Sequence, residues 1–130
     1  MTRIGTALAT VVLVAGCGTQ VSVGRSAYLG HCTDCHGPDG RGGGPLAPIA
    51  GKAVPDLTTL SRGWGGAYPT GYVVRAVGEP SEVHGGIPAM PDYARLLAGR
   101  PVRYALPGGQ EVDTTDTVLA LAAYLETLQR

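Results

Sequence analysis

Apolar residues recur most regularly near the end of the chain, where Val118, Leu121, Ala122, Leu125 and Leu128 stand three or four positions apart. That period gathers them on one face of an α-helix. Tyr124 lies beside the stripe. Asp113, Thr114 and Thr115 are N-cap candidates, and Asp116 places a negative charge in the first turn, where the helix dipole favours it. A shorter helix is expected over residues 71–77 from the spacing of Tyr72, Val73, Ala76 and Val77, with Thr70 as its cap and Gly78-Glu79-Pro80 as its stop. An earlier helix over residues 24–35 would set Ala27, Tyr28 and His31 on neighbouring turns, with Tyr28 on the same face as residue 32. After it, Gly37-Pro38-Asp39-Gly40 and Gly42-Gly43-Gly44-Pro45 are dense turn chemistry. Residues 95–113, which hold Arg100, Arg103 and Gly108-Gly109, are expected to form an exposed loop, and no internal repeat is present.

The first residues have a different pattern. Arg3 precedes an uncharged run of 13 residues, 4–16. Such a run is too short to span a hydrocarbon layer of about 30 Å, so it reads as the core of an export signal. It ends in Val14-Ala15-Gly16-Cys17, which resembles the lipobox of bacterial lipoproteins. The resemblance implies cleavage before Cys17, a diacylglycerol on its sulfur, and a membrane anchor firmer than a single acyl chain would give. An uncleaved anchor, or a chance cysteine within an ordinary signal, are the alternatives. The division expected is a signal at 1–16, a lipidated N-terminus and polar tether at 17–23, and one domain at 24–130.

Without the signal the chain has 114 residues, enough for one domain. It has no Phe, one Trp, 21 Gly and 10 Pro, so it is rich in loops and can bury little aromatic surface of its own. Ten basic residues face ten acidic ones, and losing Arg3 leaves a net charge of −1. No basic cluster tracks a phosphate backbone, which argues against a nucleic-acid partner.

The chemistry concentrates in Cys32-Thr33-Asp34-Cys35-His36. C-x-x-C-H is the attachment pattern of a c-type haem, in which both cysteines form thioethers to the porphyrin and the histidine ligates the iron. A group of that size supplies the apolar bulk the composition lacks. Cysteine use then closes: one takes lipid, two take haem, and no disulfide is expected. A structural zinc site from Cys32, Cys35, His36 and His84 is a weaker reading, because it leaves the histidine directly after the second cysteine unexplained. A thioredoxin-like motif lacks the βαβ pattern around it.

With Gly24 eight residues and Tyr28 four residues before Cys32, and with Leu121-Ala122-Ala123-Tyr124-Leu125 in the last helix, residues 24–130 resemble a class I cytochrome c. The resemblance implies an all-α, loop-rich fold of three to five helices wrapped around one covalent haem c. Gly24 would permit a close helix crossing, with Tyr28 and Tyr124 packed around it. Ile87-Pro88-Ala89-Met90-Pro91 resembles the family's distal loop, which makes Met90 the sixth iron ligand, and Met90 is the only methionine besides Met1. His84 is the competing ligand, whereas His31, adjacent to Cys32, reads as an exposed helix residue. A carbonyl of Pro45, Ala47 or Pro48 is expected to orient His36. Trp64, Tyr68, Tyr72 and Arg62 are expected either to bond the haem propionates or to pack in the ordinary way.

The function implied is electron transfer at an extracytoplasmic membrane surface, the chain being lipid-anchored and periplasmic. Its partners would be redox proteins, such as a respiratory complex, an oxidase or a periplasmic reductase, with no small-molecule substrate. A haem enzyme or sensor with an open or His84-ligated distal site is the alternative. It would require a distal acid–base residue, which a methionine ligand argues against.

Overall fold

The two longest helices cross at a residue that has no side chain. In the computed structural model α1 spans Gly16–His31 and α5 spans Asp116–Thr127, and they form the most extensive contact between elements. A Cβ on Gly24 would lie 2.5 Å from the carbonyl carbon of Ala120 and 2.9 Å from the amide nitrogen of Leu121. Backbone therefore meets backbone, and only glycine leaves the room. Four residues on, Tyr28 is completely buried, and its ring lies 5.5 Å from that of Tyr124 at an angle of 52°. Such tilted aromatic pairs attract beyond the area they bury.

The structure describes residues 16–51, 53–78, 90, 91 and 93–130. The expected signal through residue 15, the Cys17 side chain, the loop at 87–89 and His84 lie outside the described residues. Between α1 and α5 come α2 (Thr33–His36), α3 (Leu60–Gly63) and α4 (Thr70–Gly78), with 3-10 turns at Ala47–Ile49, Leu57–Thr59 and Tyr93–Arg95. The core joins α1, α4 and α5 through Tyr28, Val73, Val74, Val77, Val118, Leu121 and Leu125, and Leu97 and Val112 close it.

Three expectations are corrected. The segment 18–23 is not a tether but the first turns of α1. Val21, three residues before Gly24 and hence on the same face, packs against the core and extends the helix. The helix expected over 24–35 ends at His31, and α2 follows after a break at Cys32; amide bonds from Cys32 to Tyr28 (2.9 Å) and from His36 to Cys32 (2.9 Å) carry the bonding across.

Residues 95–113 are not simply loop. β1 (Pro101–Ala105) and β2 (Glu111–Thr115) form an antiparallel hairpin in which Arg103 faces Asp113 and Tyr104 faces Val112. Val102 and Tyr104 alternate with exposed neighbours, a period of two that marks a half-covered strand. Gly108 and Gly109, with φ of 96° and 88°, make the turn. The hairpin delivers the chain to α5, whose N-cap is Thr115: its hydroxyl oxygen accepts from the Val118 amide at 3.2 Å.

At its far end α5 runs into a polar strap. Gln129 Nε2 donates to the Leu57 carbonyl (2.8 Å), and the Ser61 amide donates to Gln129 Oε1 (3.0 Å). The Arg130 amide donates to the Thr58 carbonyl (3.1 Å), while its guanidinium reaches Thr58 Oγ1 (2.8 Å) and Asp56 Oδ2 (2.9 Å). Asp56 in turn accepts from the amide and hydroxyl of Thr58 at 2.8 and 2.6 Å.

Gly24→Ala is expected to destabilise the protein by about 3 kcal/mol, the upper end for forcing volume into a packed site, read as a lowered urea midpoint. A second expectation concerns acid. The Thr58 hydroxyl and amide, and then Arg130, hold the Asp56 carboxyl below the usual carboxylate range. A lowered folded pKa means that its contribution is complete above the unfolded value of about 4 and is lost as pH falls through the folded one. The gap in urea midpoint between wild type and Asp56→Asn is thus expected to hold steady near neutral pH and to close on acidification.

Candidate functional site

The three residues of the attachment motif sit on one short stretch of backbone. Cys32 lies at the break before α2, while Cys35 and His36 occupy its last turn. All three side chains are half-buried, and both cysteines are free thiols. Burial, and secondarily the neighbouring Cys35, pushes the Cys32 thiol up to about 11, the opposite of the lowered pKa of a redox-active dithiol. Among the described residues no three His, Cys, Asp or Glu side chains converge, so Cys32, Cys35 and His36 do not by themselves make the tetrahedral donor set of a zinc site.

Gly37 ends α2 at φ 75°, and its carbonyl accepts from the Tyr28 hydroxyl at 2.5 Å. The helix crossing is thereby tied to the attachment helix through a single phenol. Burial raises the pKa of that phenol above its ordinary value, so it remains a donor.

His36 is oriented by a carbonyl, but not by one of those expected. Its Nδ1 lies 3.4 Å from the carbonyl oxygen of Pro55, in place of Pro45, Ala47 or Pro48. The reason lies in the glycine-rich loop, whose bonds return to α2: the Gly44 amide donates to Cys35 (3.1 Å) and the Leu46 amide to Asp34 (2.7 Å), and Ala47–Ile49 then winds into a 3-10 turn. The chain comes back beneath His36 only at residues 54–57. There the Leu57 amide donates to the Gly40 carbonyl at 2.7 Å, and Val54 passes so close that a Cβ on Gly42 would lie 2.5 Å from its carbonyl oxygen. Because a carbonyl can only accept, the bond places the proton on Nδ1 and leaves the Nε2 lone pair free. Burial lowers the His36 pKa, which favours that neutral form, although the Pro55 bond works against the shift.

Met90 is half-buried and packs against the core. Tyr93 follows it in a 3-10 turn and meets the exposed His31 at a tilt of 55°, with ring centroids 6.3 Å apart. Burial, together with the nearness of Cys32, Cys35 and Asp34, raises the Tyr93 phenol pKa. The chain that leaves Met90 is thus brought back to the attachment helix. Tyr93 escaped sequence reasoning because a lone tyrosine after a proline-rich stretch gives no periodic signal.

The four aromatic and cationic candidates divide. Tyr68 donates to the Ala122 carbonyl at 2.9 Å, and Arg62 Nε to the Arg130 carbonyl at 3.2 Å, so both take part in packing. Trp64 is 55% exposed and lies 5.8 Å from Tyr72. The pair lines an open cavity of about 760 Å³ between α4 and the hairpin.

The donor set fits a covalently held haem: two adjacent thiols, an imidazole held on one nitrogen with the other free, and Leu46 and Ile49, 44% and 78% exposed, on the loop bonded to α2. These features on a helical scaffold define a haem protein of the c type. The family model for cytochrome c matches residues 21–129, and the chain belongs to that family. It binds covalent haem c and is built for electron transfer, with redox proteins as its partners. No curated protein and no solved structure matches the chain significantly.

Tyr28→Phe would leave the buried Gly37 carbonyl with only the longer bond from the Gly40 amide at 3.3 Å. The expected loss is about 1 kcal/mol, the low end of the usual cost of an unsatisfied buried group, measured by urea unfolding of the haem-loaded protein.

Proposed function

We propose that the protein is a single-haem electron carrier anchored at the extracytoplasmic face of a membrane, with Cys32 and Cys35 as the thioether residues, His36 as proximal ligand and Met90 as distal ligand. The observation that carries the reading is the His36 to Pro55 bond directly after two half-buried thiols, which supports an imidazole held ready to bind iron through Nε2. When bound, the haem supplies one-electron exchange between ferric and ferrous iron.

The chain's residues set the terms of that exchange. The Pro55 carbonyl fixes the ring plane of His36 and raises its basicity as a ligand. A thioether from Met90 would favour the ferrous state and raise the potential above that of a bis-histidine site. Met90 belongs to a segment packed on the core, and Tyr93 draws that segment towards the cysteines, which supports its place on the distal side. Were His36 and Met90 both to bind the iron, no position would be left for a substrate, which supports a carrier over an enzyme.

Cys17, at the end of an export-type run, is read as the lipidated residue, with residues 1–16 removed on export. Anchoring would replace a search through volume by a local one and raise the effective concentration at membrane partners. The partners proposed are a respiratory complex, a terminal oxidase or a periplasmic reductase.

Oxidised and reduced absorption spectra of protein made with a haem-attachment pathway test the ligation. The wild type is expected to show the weak red-end ferric band of an iron–thioether bond, and Met90→Leu to lose it. A band absent from the wild type, or retained in the variant, sinks methionine ligation and leaves His84 or an open iron site.

A further inference from the structure

We propose that the Gln129–Arg130 strap, acting through Asp56 and Thr58, is a positioning device that holds the Pro55 carbonyl against His36. The inference rests on the reading of His36 as proximal ligand and adds to it a control point at the far end of the chain.

The segment carrying Pro55 is held from two sides. On one side the attachment loop grips it, through the Leu57 amide on the Gly40 carbonyl at 2.7 Å and the close passage of Val54 over Gly42. On the other side the strap grips it. Gln129 takes the Leu57 carbonyl at 2.8 Å, and Arg130 binds Thr58 by backbone and side chain and Asp56 by a guanidinium nitrogen at 2.9 Å. Asp56 is joined to Pro55 by a single peptide bond and is itself fixed by two bonds from Thr58. At 3.4 Å the His36 to Pro55 contact is at the long end for a hydrogen bond, where a further shift of a few tenths of an ångström removes most of its strength. One of the two grips on the segment that carries that carbonyl thus comes from Gln129 and Arg130, through bonds that span 68 to 74 positions of the chain.

The sign of the effect follows. A hydrogen bond from Nδ1–H makes Nε2 a stronger donor and so favours ferric iron. Releasing the strap weakens the bond and shifts the equilibrium towards ferrous iron.

The experiment uses the full haem-loaded chain as wild type, Arg130→Ala, Asp56→Ala and Thr115→Ala. The last loses the N-cap at the other end of α5 and reports destabilisation alone. Redox equilibrium with a dye of known potential, exchange of the His36 Nδ1 proton followed by NMR, and urea unfolding are recorded for each. Arg130→Ala and Asp56→Ala are expected to shift the dye equilibrium towards ferrous iron by about threefold or more, less than the roughly 10- to 100-fold effect of removing a group that itself bonds a metal ligand, because they only loosen that group, and to speed exchange of the Nδ1 proton. Thr115→Ala is expected to lower stability and change neither. Strap variants that lose stability but keep the wild-type redox equilibrium and proton exchange overturn the proposal and leave the electron-carrier reading intact. Wild-type protein without covalent haem overturns both. If Asp56→Ala does not load haem, Arg130→Ala, whose change lies at the end of the strap, decides the matter by the same two readouts.

Discussion

The crossing of α1 and α5 at Gly24 is the constraint from which the rest of the structure follows. Backbone contact with Ala120 and Leu121 fixes the distance between the helices, and a shared face then fixes their rotation. Tyr28, one turn further along α1, consequently meets Tyr124 and sends its hydroxyl to the Gly37 carbonyl. That bond ties the crossing to the residue at which α2 stops, one position after His36. An interaction between backbones with no side chain involved is thus linked to the placement of the thiols and imidazole a dozen residues away. Contacts of this kind are unforgiving because a packed crossing cannot relax by rotating a side chain.

How much of this was legible in the sequence depended on the range of each interaction. The stripe of α5 was plain, because its residues repeat at the helical period and all of them pack in or against the one core. Gly24 and Tyr28 were legible through their spacing to Cys32, and the attachment motif is a local pattern that needs no fold to be seen. The hairpin was hidden by its charges: Arg103, Glu111 and Asp113 are exposed and lend a loop-like composition to strands whose alternate positions are half-covered. The Pro55 carbonyl was missed because proximity in sequence favoured Pro45 and Pro48, whereas the glycine-rich loop bonds back to α2 first. The glycines signalled a turn, but not how far the chain travels before it returns.

Two kinds of frame hold the site, and they differ in what disturbs them. The apolar frame of α1, α4 and α5 is insensitive to salt and to moderate acid, since its side chains carry no charge that titrates there. The strap at Gln129 and Arg130 is a polar frame, built of amides, a guanidinium and one carboxylate, and it weakens when that carboxylate is protonated. Each frame reaches the attachment motif through a different carbonyl, Gly37 for the first and Pro55 for the second.

This division also accounts for how a chain without Phe and with 21 glycines holds the His36 ring in place. Apolar area is concentrated where the helices cross, and the glycine-rich loop after α2 is held by backbone hydrogen bonds, from Gly42 to His36, Gly44 to Cys35, Leu46 to Asp34 and Leu57 to Gly40. Such bonds are directional, so they fix positions well even though each adds only about 1 kcal/mol net. They leave Leu46 and Ile49 with apolar surface in solvent, beside the helix that carries the cysteines. A covalently attached haem would offer apolar surface against which such side chains could be buried on folding, and that burial is favourable. The cofactor and the loop therefore need one another: the loop orients the histidine, and the haem supplies the apolar mass that the loop's composition omits.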